Sequence, residues 1–589
     1  LVVARDAAAL AVKHPNITIA GEFSGRLNND HGYVRLENEV QNPVDEVHYY
    51  DGGRWPDAAD GNGSSLELRD PDADNATAEA WAASDEANAS SWQTFSHRAR
   101  ALRFPGTADP STYNEFIFGL LGSGECLIDD ISVIEDHDGS ARELIQNGDF
   151  EGDPIGTSPD HWRMVGTHGL HGRSVVIADP DGAGKVLHVV ATGPMWHQQN
   201  QAETTLRFGN SFVTINSNRD YEISFRAKWL SGAPNLNTRL YFDRVAKTHV
   251  LNQSACSGTP GAENSTRVAN LGPTSEGFMH RPLRPGNGEE VTVSASLSDP
   301  DGVASATLHW STNGSSYSQV AMVHAGNGRY RGDIPGQSNN VKVQFYLEAR
   351  DSLGATSFYP AAGPASRALF RVGSETRGSP PAQHIEIVML PADESVLGTT
   401  TNLMSNHRIG GTVIYEDEVF YDVGIRLKGS QRGRPDLNRR GFSIGFNADQ
   451  KFRGVLESIG LDRSGGWRFG RTFGQDEILI WHFMNRAGGV PALHNDVVFL
   501  DAPGVGDGSA QLQLARFGNG FLASQFENGE EGSFHNYELI YYPTTTTGGP
   551  EGFKRPNPDS VVGVSIRDLG DNEEAYRYYF QLRNNQVKD

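Results

Sequence analysis

The chain has 589 residues, enough for several domains of ~100–200 residues each. Its 67 Gly and 29 Pro, with 37% hydrophobic residues, point to many short strands and turns, not long helices. A net charge of −23 argues against a general nucleic-acid binder, and no apolar run approaches the ~20 residues of a membrane-spanning helix.

In chain order, a strand is expected at Leu1–Ala4, a short Ala-rich helix at Ala7–Lys13, and strands near Thr18–Phe23, Tyr33–Leu36 and Asp45–Tyr50. Asp70, Asp72 and Asp74 have the alternate spacing of a calcium loop. Such a loop requires Gly at its sixth position and Glu at its twelfth, where this chain has Asn75 and Trp81, so a turn is expected. Residues 1–84 resemble the closing part of a lamin-tail domain, an immunoglobulin-like sandwich, on the run Asp45-Glu-Val-His-Tyr-Tyr-Asp-Gly-Gly-Arg-Trp55 and the Asp-rich turn after Leu68.

Residues 85–138 read as a β-rich, jelly-roll-like segment and 139–256 as a second jelly roll. Tyr221, Ile223 and Phe225 alternate as in a half-buried strand. Cys126 lies in a strand and is expected to be a buried thiol. Cys256 lies in a Ser/Gly loop, and nothing in the spacing supports a disulfide between the two. The opening Asn147-Gly-Asp-Phe-Glu151 and the closing Asp129-Asp-Ile-Ser-Val133 resemble secreted carbohydrate-binding jelly rolls. The resemblance implies a structural calcium shared by Asp130, Asp149 and Glu151, and sugar-stacking platforms among Trp162, Trp196 and Trp229. Trp229 reads better as core, and Trp196, beside His197-Gln-Gln-Asn200, as a sugar contact.

Residues 257–280 read as a turn-rich linker, 281–373 as an immunoglobulin- or fibronectin-like spacer, and 374–382 as a Gly/Ser/Pro linker. Then comes a basic strand-loop-strand, Tyr421 to Phe446, with six Lys/Arg against two Asp. A Gly/Ser loop among guanidiniums is suited to an anion, though an ordinary solvated hairpin has the same composition. After it, Ile478, Leu479, Trp481, Phe483 and Met484 predict a helix apolar almost all round, stopped by Gly488-Gly489.

Residues 374–589 resemble, in part, the CotH (spore-coat-protein-H) kinase-like family, on Arg426-Leu-Lys-Gly-Ser430, Arg439-Arg-Gly-Phe442 and Ala487-Gly-Gly-Val-Pro491. The resemblance implies that Lys428 and Arg440 face the phosphates of ATP with magnesium, and that Glu477 orients the lysine. Glu477 reads equally as a favourable charge in a first helical turn. The family's late metal-holding Asp run has no counterpart before Asp589, and Asp568, Asp571, Glu573 and Glu574 read as cap and surface charges.

The expected fold class is therefore mainly β: tandem immunoglobulin-like and jelly-roll sandwiches, followed by an incomplete α+β kinase-like lobe. Two functions are carried forward. One is an extracellular or cell-surface structural or adhesive protein that contacts glycans or copies of itself. The other is a secreted atypical kinase with accessory modules, inactive in this stretch. Both treat the chain as a piece of a longer polypeptide.

Overall fold

The computed structural model describes residues 2–526 except for internal stretches, the longest being 102–112, 374–382 and 463–473. Beyond 526 it describes only 534–535, 539–540, 552–553 and 587–588. Trp196, Cys256, the 374–382 linker, much of the 430–439 loop and the carboxylates of 568–574 lie outside the described residues.

The protein is mainly β. Near the N-terminus the helix Ala7–Lys13 forms where Asp6 caps it, its Oδ1 accepting from Ala9 N at 2.8 Å. The strands of this region form no sandwich among the described residues. They make separate two-stranded sheets: Val2–Ala4 with Ile19–Glu22, His31–Glu37 with Pro43–Tyr50, and Leu66–Leu68 with Trp81–Ala83. Pairs this small enclose little core, and Tyr33, Val34, Leu36 and Val44 stay exposed. The Asp70–Asp74 segment is a turn, with Asp70 Oδ1 accepting from Asp72 N and Asp74 Oδ1 from Ala76 N.

The segments expected as two units, 85–138 and 139–256, are one sandwich. Gly124–Glu135 pairs with Lys185–Ala191 on one edge and Asp220–Gly232 on the other. Glu115–Leu120 lies between Ala202–Thr205 and Asn235–Leu240 in the facing sheet. Between the sheets, Tyr221, Ile223, Phe225, Ala227 and Trp229 alternate inward with Phe116, Phe118 and Leu236. Cys126 is a free, buried thiol in this core, its pKa pushed up to about 12 by burial and then by Glu125.

A second sandwich follows. Its first strand, Thr274–Arg281, begins inside the stretch expected to be linker, because residues 274–281 have a sheet to join. The segment before it is strapped onto the N-terminal region: Thr259 Oγ1, Ser265 Oγ and Thr266 N all donate to the Glu67 carboxylate. These bonds, against the opposing effect of burial, hold that carboxyl below its usual range.

The region expected as an α+β lobe is a closed seven-stranded barrel with helices Pro391–Gly398 and Gly474–Ala487. Around the barrel run His384–Val388, Ile409–Tyr415, Glu418–Lys428, Gly441–Gly445, Ser458–Asp462, Val505–Ala515 and Asn495–Ala502, the last pairing in parallel with the first. Val413, Ile425, Leu427, Phe442, Ile444, Leu461 and Leu500 fill it. The Gly474–Ala487 helix is not buried all round. It meets the barrel along the Asn495–Ala502 strand, and a helix lying on one strand covers one face only, so Leu479, Ile480 and Phe483 are exposed.

The second sandwich is fastened to the barrel. Tyr421, on a barrel strand, buries its ring in the sandwich core. Arg284 and Arg371 both pair with the buried Glu386, at 3.2 and 3.1 Å, and Arg371 also reaches Asp501 at 3.3 Å.

Candidate anion-binding face of the barrel

The hairpin singled out in the sequence forms as expected: Glu418–Lys428 runs antiparallel to Gly441–Gly445, with Gly424 opposite Gly445, Arg426 opposite Ser443 and Lys428 opposite Gly441. Alternation turns Val423, Ile425 and Leu427 into the barrel, so Gly424, Arg426 and Lys428 face outward. The next strand sets Gly460 beside Ser443. Gly424, Gly445 and Gly460 thus floor the outer face, and long cationic side chains lie over them. A Cβ at Gly445 would collide with Arg408 Nη1, one at Gly424 would stand 2.8 Å from Arg408 Cβ, and one at Gly460 would stand 3.1 Å from Lys428 Cε.

Lys428 is neutralised by Asp462, its Nζ donating to Oδ2 at 2.5 Å. Arg516 donates through Nη1 to Ser443 Oγ at 3.1 Å. Arg426 donates to Leu427 O at 3.4 Å. Arg408 is exposed and has no hydrogen bond or ion pair among the described residues. Crowding by surrounding protein, and then the charge of Arg516, push its pKa down to about 10, so it stays charged at neutral pH. Among the described residues the face therefore sets Arg408, Arg426, Lys428 and Arg516 around the Asp462 carboxylate. A planar guanidinium with free donors matches an oxyanion in shape and charge.

Of the residues expected at this site, Lys428 stands on the face. Arg440 stands at the same barrel end but lies against the Gly504 turn, its Nε buried without a partner and its pKa lowered by burial. Glu477 lies in the Gly474–Ala487 helix, and its side chain is outside the described residues. Arg434, from the same basic loop, is structural: it is buried and donates to the carbonyls of Gly429, Leu403 and Ser405 at 2.8, 3.0 and 3.1 Å. Sequence reading missed Arg408 and Arg516, which stand just before the Ile409–Tyr415 strand and just after the Val505–Ala515 strand, and no local pattern marks them.

The other expected sites fare differently. Trp162 is buried in the sandwich core, edge-on to Phe116 and Phe118, with Nε1 donating to Asn147 O at 2.9 Å, so its ring offers no platform to a sugar. Trp229 is core, as expected. Asp130 pairs with Arg226 at 3.2 Å, Asp149 is exposed, and Glu151 accepts from Lys185 N at 2.9 Å. Lys185 Nζ occupies the nearby Glu151 and Asp153 carbonyls, so a cation is already built in beside them. Among the described residues, a group of three acids whose ligand atoms all lie within 4.8 Å of one another forms at Asp299, Asp301 and Asp351. Burial, and then Asp351, Asp301 and Asp70, raise the Asp299 pKa.

No protein-family model and no curated protein matches the chain. Among solved structures it aligns with a bromine derivative of BhCBM56, at 16% identity over 15% of this chain and 88% of the other, with a TM-score of 0.12. It also aligns with the sporulation control protein Spo0M from Bacillus subtilis (12% identity, 32% and 74% coverage, TM-score 0.12). A third is a DUF4785 family protein from Legionella pneumophila (8% identity, 68% and 75% coverage, TM-score 0.13). TM-scores this low carry no argument about fold or activity.

Proposed function

We propose that the chain is an extracellular adhesive protein of linked β-modules, and that the barrel face contacts the acidic groups of glycans. The observation that supports this is Arg408: charged, exposed, unpaired among the described residues, and laid on a glycine floor beside Arg516. An uncompensated guanidinium over open backbone leaves room and donors for a sulfate, phosphate or carboxylate oxygen. The kinase-like reading uses the same face for nucleotide phosphate, but there Lys428 is already bound to Asp462.

Calorimetric titration of the intact chain separates the two. A sulfated polysaccharide should bind, should lose about tenfold in affinity on Arg408→Ala, and should weaken with salt as exposed charges are screened over ~10 Å at 0.1 M. ATP with magnesium should bind more weakly than the polysaccharide. Equal affinity of wild type and Arg408→Ala for the polysaccharide refutes the proposal. Tighter binding of ATP with magnesium, lost on Lys428→Ala, transfers the site to the nucleotide reading.

A further inference from the structure

A cavity lies where the N-terminal region, the second sandwich and the barrel meet. It has a volume of about 610 Å³, within the range of small-molecule sites, which favour such junctions. A neighbouring space of about 230 Å³ shares Arg69, Glu79, Tyr359 and Ala361 with it, so the two form an elongated groove.

The walls are built, not incidental. Gly53 approaches the barrel so closely that a Cβ would stand 2.6 Å from Ala448 N, and its φ of +73° suits only glycine. The next residue, Arg54, spans the junction. Its Nε and Nη2 donate to Asp449 Oδ2 and Oδ1 at 3.1 and 2.9 Å, and its Nη1 donates to the Tyr359 hydroxyl at 2.6 Å. Burial alone would lower its pKa, but Tyr359, Asp449 and Glu79 outweigh burial and hold it above the ordinary value. Trp81 is held from behind, its Nε1 donating to Asn75 O at 2.9 Å.

One group in this wall is left wanting. Glu79 Oε1 is fully buried and accepts no hydrogen bond, while the carboxylate acts electrostatically on both Arg54 and Tyr359. A buried acceptor without a donor is costly. Among the described residues, the charged groups along the groove leave no free cation: Arg54 is tied to Asp449, Arg69 lies beside Glu79, donating to its carbonyl at 3.4 Å, and Asp422 adds a third carboxylate, whose pKa burial raises. The groove therefore turns away an anion and suits a neutral ligand. What remains is a pair of half-buried rings, Trp81 and Tyr359, with acceptors and donors of both kinds between them. That is the surface a sugar presents in complement: hydroxyls that donate and accept, and C–H faces that pack on rings.

We propose that this groove binds a neutral oligosaccharide, with the half-buried Glu79 carboxylate accepting from a sugar hydroxyl through Oε2, the oxygen not sealed in the wall, and Trp81 and Tyr359 packing on the rings. None of Arg408, Arg426, Lys428 and Arg516 lines this groove, so either site can fail alone.

The test titrates the intact chain with cellobiose, maltose and xylobiose, against Glu79→Gln and Arg408→Ala. At least one disaccharide should bind with a Kd in the millimolar range or tighter. That affinity should fall about tenfold in Glu79→Gln, which keeps the side-chain shape, and should be unchanged in Arg408→Ala. Binding of sulfated polysaccharide should show the reverse dependence. Failure of all three disaccharides to bind, or equal affinity in Glu79→Gln, overturns the inference. Should Glu79→Gln not fold, hydrogen exchange of the wild type decides: protection of amides in 78–81 and 359–362 on adding the disaccharide supports the groove, and unchanged exchange overturns it.

Discussion

Lowering the pH should loosen the joint between the second sandwich and the barrel, through His280. This side chain is wholly buried at that joint, stacked on Phe370 with ring centroids 5.1 Å apart. Its Nε2 donates to Leu283 O at 3.2 Å, its Nδ1 accepts from the Tyr421 hydroxyl at 2.6 Å, and its backbone N–H donates to the same hydroxyl at 3.2 Å. The ring is thus satisfied in its neutral form, and a second proton would land between Nδ1 and a hydroxyl already donating to it. Burial is the main cause, with Arg281 adding repulsion and the Leu283 bond opposing, and together they push the pKa from 6.5 down to about 4. In that window the unfolded chain binds more protons than the fold. Stability is therefore kept above the unfolded value and lost as pH falls from about 6.5 through about 4. The loss is roughly 2 kcal/mol at pH ~5 and roughly 3 kcal/mol by pH ~4. Hydrogen exchange of amides in Thr274–Arg281 and Glu418–Lys428, converted to opening free energies at each pH, measures it locally. His280→Gln keeps a donor and an acceptor but does not titrate, so its opening free energy should change far less over the same range. If wild type opens equally at pH ~7 and pH ~5, or if His280→Gln shows the full decline, the reasoning is refuted.

Gly445→Ala should leave the barrel folded but displace Arg408, whose Nη1 lies where the methyl would go, and lower affinity for sulfated polysaccharide about tenfold in calorimetry. Trp162→Ala should destabilise the first sandwich by about 3–5 kcal/mol in denaturant unfolding, since it empties a site against Phe116, Phe118 and Phe150; a loss under 1 kcal/mol would mean that the ring is peripheral. Asp301→Asn should raise the melting temperature slightly in chelator, by relieving repulsion on Asp299, and should abolish any rise that millimolar calcium produces; a lower melting temperature in chelator would contradict this.

The sequence by itself determined what depends on neighbours along the chain. Asp6 ahead of an Ala-rich run specifies the Ala7–Lys13 helix, because the cap and the propensity lie within one turn. Strict alternation at Tyr221, Ile223 and Phe225 specifies a strand with one buried face, and the apolar runs flanking the basic loop specify the barrel hairpin. The turn at Asp70–Asp74 was equally legible, since its hydrogen bonds span two residues. Tertiary structure alone decided how those pieces close. Residues 93–135 and 142–250 make one sandwich because strand pairing is chosen among edges far apart in sequence, and alternation is the same whichever edge is taken. Trp162 reads like a surface platform until Phe116 and Phe118 are seen around it. The Gly474–Ala487 helix has the composition of a buried element, yet it meets the barrel along one strand and leaves Leu479, Ile480 and Phe483 exposed. The anion face depends on barrel closure in the same way: Arg408, Ser443 and Arg516 meet only because three strands bring them to one glycine floor, a coincidence in space that no local pattern encodes.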